Sequence, residues 1–186
     1  MREESVRNNK GRNQQMDKLE YTLFNFEDST TDRNIPLNIL LEQYKLYVET
    51  MEKVVARRQT VNSFFLAANT FLITLSGFAN EQLGLEGTNS RSFSLLGISI
   101  SGILLSTIWL KLSRSYGLMN AAKFEVIHAL ERKLPAALFL GEWIALGEGK
   151  DPRKYQPMSK VESRVTWVFI YLYIAVILWA IYNLIF

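Results

Sequence analysis

Three stretches without one charged side chain, residues 61–79, 93–110 and 165–186, constrain this chain more than any other feature. They hold 19, 18 and 22 residues, against the roughly 20 that carry a helix across the hydrocarbon core. Of the 21 Lys and Arg, ten lie in 1–60, one in 80–92 and ten in 111–164. A soluble globule does not fit a chain so segregated, with 48% hydrophobic and 21% charged residues. The pattern predicts an all-α polytopic membrane protein with about three transmembrane helices and cytoplasmic amphipathic helices. The expected organisation is a polar arm over 1–35, a cytoplasmic helix over 36–60 continuing into the membrane, and a transmembrane hairpin over 61–110. A cytoplasmic helical region follows over 111–164, then a C-terminal transmembrane helix over 165–186.

Orientation follows from the flanking charges. Arg57 and Arg58 precede the first span, Lys111 and Arg114 follow the second, and Lys160 and Arg164 precede the third. The loop between the first two spans carries only Arg91, with Glu81 and Glu86. The positive-inside rule then places 1–60 and 111–164 in the cytoplasm, with the short loop and Phe186 on the opposite side. The net charge of +3 reads as anchoring beside anionic lipid, and no direct nucleic-acid binding is expected. With sixty polar and charged residues first, no signal peptide is expected. The absence of Cys excludes disulfides, thiolate metal sites and cysteine catalysis.

From Pro36, apolar residues recur at Leu37, Leu40/Leu41, Tyr44, Tyr47/Val48, Met51 and Val54/Val55 in alternating steps of three and four. No Gly or Pro intervenes before Gly77, so one helix is predicted over 37–78, roughly 60 Å long. The apolar seam on its wet half needs a cover: a later cytoplasmic helix of the same chain, or a neighbouring subunit. In the second case Tyr44, Met51 and Val55 make the oligomer contact.

The first span is unusually polar. Asn62, Asn69 and Ser76 are spaced by seven, as are Ser63, Thr70 and Gly77. A lipid-facing amide without a partner costs on the order of 2 kcal/mol or more. Asn62, Asn69, Thr70 and Ser76 therefore line a water-filled path or bond across helices; the spacing suits both. The second span carries Gly97-xxx-Ser101, a small-xxx-small pattern that lets helices pack closely. Beyond it, Phe124, Ile127, Leu130 and Leu134 mark an amphipathic helix over 116–134, ended by Pro135. A second apolar stretch runs over 138–146. Ser159 and Glu162 read as a capping box opening the third span. Trp167 and Tyr171 near one end of that span, with Trp179 and Tyr182 near the other, form two aromatic belts.

Catalytic signals are weak. His128 is the only histidine and has no second ligand, so a structural role is expected and no metal or cofactor. Residues 147–150, Gly-Glu-Gly-Lys, lack the earlier glycine and the Ser/Thr of a phosphate loop. No catalytic residue, and no enzyme, is expected.

Two segments carry a family resemblance: YKLYVETMEKVVARRQTVNSFFLAANTFLITL over 44–75, and KFEVIHALERKLPAALFLGEWIALGEGKDPRKYQPMSKVE over 123–162. Together they resemble the RipA family of octameric bacterial membrane proteins. The membrane accessory protein of RNA-targeting type VI CRISPR systems looks like a relative, and the two-span SLATT effectors share the general plan. The resemblance implies a homo-oligomer of the bacterial inner membrane, an octamer on that family's pattern, forming a pore in phage defence. The alternative is a membrane-anchored, non-conducting scaffold that recruits a cytoplasmic defence partner. The CRISPR relative carries an Arg-to-His nuclease-like pattern; here Lys123 stands at that spacing before His128.

Overall fold

The computed structural model describes residues 14–24, 36–81, 88–151 and 153–185. A short helix α1 covers 14–23, followed by α2 (Leu37–Glu81), α3 (Thr88–Glu131), α4 (Leu138–Ala145) and α5 (Met158–Ile185). No strand occurs among the described residues. Three of these helices, α2, α3 and α5, are long and apolar enough to cross a membrane.

Helix α2 opens on Pro36, whose carbonyl accepts the N–H groups of Ile39 (2.9 Å) and Leu40 (3.1 Å). It then runs without a break through Gly77, as an uninterrupted helical pattern predicts. Helix α3 departs from the expectation of a span and a separate amphipathic helix. It is one helix from Thr88 to Glu131, because hydropathy falls after Leu110 while nothing there stops a helix: no proline intervenes, and a lone Gly117 costs only about 1 kcal/mol. Turn bonds from Lys133 N–H to the Leu130 carbonyl (2.9 Å) and from Leu134 N–H to that of Glu131 (3.0 Å) close it just before Pro135. The capping box is also corrected. Helix α5 begins at Met158, and the Glu162 carboxyl is engaged by Arg58 and Asn62 instead.

The chain divides into two compact units. Unit 1 comprises residues up to Met51 together with Ala121–Ala145. Its core is Leu40, Tyr44, Met51, Ile127 and Leu130, with Phe124, Leu134 and Phe139 packed around them. So Tyr44 and Met51, two of the three expected oligomer contacts, lie buried against their own chain, while Val55 is 40% exposed. Leu23 and Phe24, in the segment read as part of a polar arm, pack on this core. Arg132 holds them there by donating to Glu20 at 2.7 Å, and the Lys133 ammonium lies 5.6 Å from the centre of the Phe24 ring.

Unit 2 comprises Glu52–Asn120 and Leu146–Phe186, and holds the three apolar segments. Its side chains are sorted opposite to a soluble core. Phe64, Phe71, Leu104, Ile108, Val168 and Leu178 are exposed, whereas Asn69, Ser76, Ser92, Ser99, Ser106, Ser113 and Thr166 are buried. Trp167, Tyr171, Trp179 and Tyr182, the residues of the two expected aromatic belts, all face outward.

Candidate functional site

The buried polar groups of unit 2 share one register. On α2 they are Asn69 and Ser76, with the half-buried Asn62 one repeat before them; on α3, Ser92, Ser99, Ser106 and Ser113; on α5, Thr166 and Tyr173, continued by Ala180. Each set repeats every seven residues, which keeps it on one face of a gently supercoiled helix. Small hydroxyl residues let the backbones approach closely enough for polar groups on different helices to bond.

At one end of the seam, Glu162 draws α2 and α5 together. Its Oε2 accepts from Arg58 Nη2 at 2.7 Å and its Oε1 from Asn62 Nδ2 at 2.6 Å. The Arg58 and Glu162 side chains are only 13% and 10% exposed. Asn62 passes the link to α3: its Oδ1 accepts from Trp109 Nε1 at 2.9 Å and, at a longer 3.5 Å, from the Ser113 hydroxyl. The Trp109 ring stacks on Phe65 with centroids 6.0 Å apart.

One turn cycle deeper, Asn69 ties the three helices at a single atom. Its Nδ2 donates to the Phe65 carbonyl at 2.8 Å, and its Oδ1 accepts from the Ser106 hydroxyl at 2.8 Å and the Tyr173 hydroxyl at 3.1 Å. All three side chains are fully buried. Tyr173 fits only because α3 presents Gly102 beneath it, where an added Cβ would stand 2.2 Å from the ring carbon Cζ. Further along, Ser76 bonds back to the Leu72 carbonyl at 2.8 Å. The buried Ser99 hydroxyl has no partner among the described residues.

The four candidates on the first span therefore separate. Asn62, Asn69 and Ser76 lie on the internal seam, and Thr70 does not. It belongs to a second line on α2, formed by Thr60, Ser63, Ala67, Thr70, Thr74 and Gly77, all exposed. Thr60, Thr70 and Thr74 each donate to a backbone carbonyl four residues back in the same helix. The α3 serines were missed at sequence level although their seven-residue spacing was visible there. A serine looks alike on either face until a partner amide is placed opposite it.

For chemistry the site holds one buried ion pair and hydroxyl–amide bonds. Among the described residues no group of three His, Cys, Asp or Glu side chains gathers to hold a metal. His128, in unit 1, lies beside the Phe124 ring at 6.1 Å, with its buried Nε2 unpartnered among the described residues.

A helical unit that is apolar outside and hydrogen-bonded inside, with three helices of spanning length, defines a polytopic α-helical membrane protein. The chain belongs to the octameric membrane protein family (8xMP), whose model matches residues 41–182. The match covers both segments on which the resemblance to octameric membrane proteins rested. No curated protein matches the chain, and no solved structure does.

Proposed function

We propose that this protein is a pore-forming or membrane-perturbing effector of bacterial phage defence, acting as a homo-oligomer of the inner membrane with residues 1–60 and 111–164 in the cytoplasm. One observation carries the reading: the exposed line Thr60, Ser63, Ala67, Thr70, Thr74 and Gly77 crosses the apolar span of α2. The internal seam uses none of these residues. Acyl chains gain nothing from such a face, whereas a ring of subunits turning it toward a common axis creates a hydroxyl-lined path that water can wet. The family's octameric character supports a ring, and the sequence resemblance to the CRISPR accessory protein, with the general plan shared with SLATT effectors, supports the defence role.

The test is ion flux from proteoliposomes holding the purified full-length protein. Flux should be measurable, and Thr70→Leu with Thr74→Leu should lower it at least tenfold without changing the oligomer's mass, by making the path prone to dewetting. An intact oligomer that never conducts would leave the non-conducting scaffold, with its cytoplasmic partner, as the function. Loss of the oligomer in the double variant would assign the line to subunit packing.

A further inference from the structure

Between α3 and α5 lies a cleft of about 630 Å³, lined by Arg114, Lys160 and Arg164 together with Ser159, Leu110 and Trp167. Three cations converge on it, and no carboxyl lines it among the described residues. The nearest acid along α5, Glu162, is already engaged by Arg58 and Asn62. Three other arginines are matched: Arg58 with Glu162, Arg132 with Glu20, Arg153 with Asp151. Arg114, Lys160 and Arg164 have no such partner among the described residues.

Unmatched like charges in a concave site repel one another and raise the local positive potential, so the site favours an anion that neutralises them together. Its remaining walls select among anions. Leu110 and Trp167 make one side apolar, and both lie within the charge-free segments or belts that meet the bilayer. An occupant charged at one end and greasy at the other fits both walls. Basic pockets between membrane helices hold anionic headgroups on this principle.

We infer that this cleft binds the phosphodiester of an anionic phospholipid, with Arg114, Lys160 and Arg164 around the phosphate and the acyl chains along Leu110 and Trp167. The site is independent of conduction: a non-conducting scaffold would carry it equally. It is also distinct from diffuse attraction to a charged surface, because Lys111, a neighbouring exposed cation, does not line it.

Native mass spectrometry of the detergent-purified full chain tests this, with phosphatidylglycerol and phosphatidylcholine of identical acyl chains titrated in parallel. Phosphatidylglycerol adducts should dominate. Arg114→Gln and Arg164→Gln should each weaken them about fivefold, as expected for one basic residue near a lipid phosphate, and Lys111→Gln should leave them unchanged. Oligomer mass read in the same spectra shows whether each variant has folded, and Arg114 and Arg164 are both exposed, so each substitution leaves the packing intact. Equal adducts of both lipids would overturn the inference. So would an equal loss in Lys111→Gln, which means surface potential alone, or full displacement by millimolar inorganic phosphate, which means a soluble anion is the occupant.

Discussion

The Tyr44 hydroxyl donates to Glu131 Oε1 at 3.0 Å, joining positions 87 residues apart. The same carboxyl accepts the backbone N–H groups of Phe139 at 2.7 Å and Leu140 at 3.0 Å. Those groups belong to the first turn of α4, where no intrahelical acceptor exists. Glu131, buried to 1% exposure, thus caps one helix from the end of another. Glu131→Ala would strand three donors, each at a cost of about 1–3 kcal/mol. Hydrogen exchange should then quicken at the Phe139 and Leu140 amides while the membrane helices keep their protection; unchanged exchange at these two would refute the capping role.

The Tyr44 phenol has a pH signature. Burial first, then the hydrogen bond to Glu131 and the charge of Glu131, raises it from 10.0 to about 12. The fold favours the neutral phenol, so this contribution is complete below pH 10 and is lost as pH rises through about 12. Tyr44→Phe should be less stable than the parent by about 1 kcal/mol at neutral pH. That gap should close between pH 10 and 12 in chemical unfolding followed in unit 1. A gap independent of pH would show that packing, not the hydroxyl, distinguishes the two.

Asn69→Leu removes the acceptor shared by Ser106 and Tyr173. Buried hydroxyls without a partner cost about 1–3 kcal/mol in proteins generally, but interhelical bonds in membranes average only about 0.6 kcal/mol. The second figure applies where the denatured helices still find partners, so a loss of about 1–2 kcal/mol is expected. The Tyr173 hydroxyl keeps the Asn69 backbone carbonyl at 3.2 Å, so the stranded group is Ser106. Asn69→Leu combined with Ser106→Ala should be less destabilised than the sum of the two singles, because both ends of one bond are then apolar. Strict additivity in detergent unfolding would dissolve the link.

Gly102 and Gly97 should respond oppositely to alanine. At Gly102 the new methyl meets three Tyr173 ring carbons at 2.2, 2.4 and 2.5 Å, so the ring or the helix must shift, at about 1–3 kcal/mol. At Gly97 nothing lies within 4 Å, and Gly97→Ala should gain up to about 1 kcal/mol from helix propensity. Equal melting temperatures for the two variants would contradict the packing of Tyr173 on α3.

Orientation can be read by labelling, since the chain has no Cys to compete. Single cysteines at Asn89 and Glu148 should differ: the first reacts with an impermeant thiol reagent on intact inner-membrane spheroplasts, the second only after lysis. Equal labelling would break the proposed topology, and labelling of the second site alone would reverse it.

The extent of α2 and the three apolar segments were legible because charge exclusion and the lack of breakers act locally. The unbroken α3 was not, because Lys111 and Arg114 mark where lipid ends and not where a helix ends. Ser159 and Glu162 satisfied a capping pattern on spacing alone, yet the carboxyl's stronger partner, Arg58, sits 104 residues away and no local signal points to it. The seam at Tyr44 and Met51 was legible as a seam. What covers it was not, since an apolar stripe fits Ile127 and Leu130 of its own chain as well as a stranger's.

Asn69 is also a matter of timing. Its donor Ser106 emerges from the ribosome 37 residues later, and its donor Tyr173 only 104 residues later. At about 5–20 residues per second, the amide oxygen waits roughly 5–20 s for its last ligand. A helical hairpin is therefore integrated into the bilayer with Ser106 alone on that oxygen and the second donor still to come. A translational pause between positions 107 and 172 prolongs that vulnerable interval, so slow codons there would expose the nascent hairpin to quality-control proteases in a way that slow codons after Tyr173 would not.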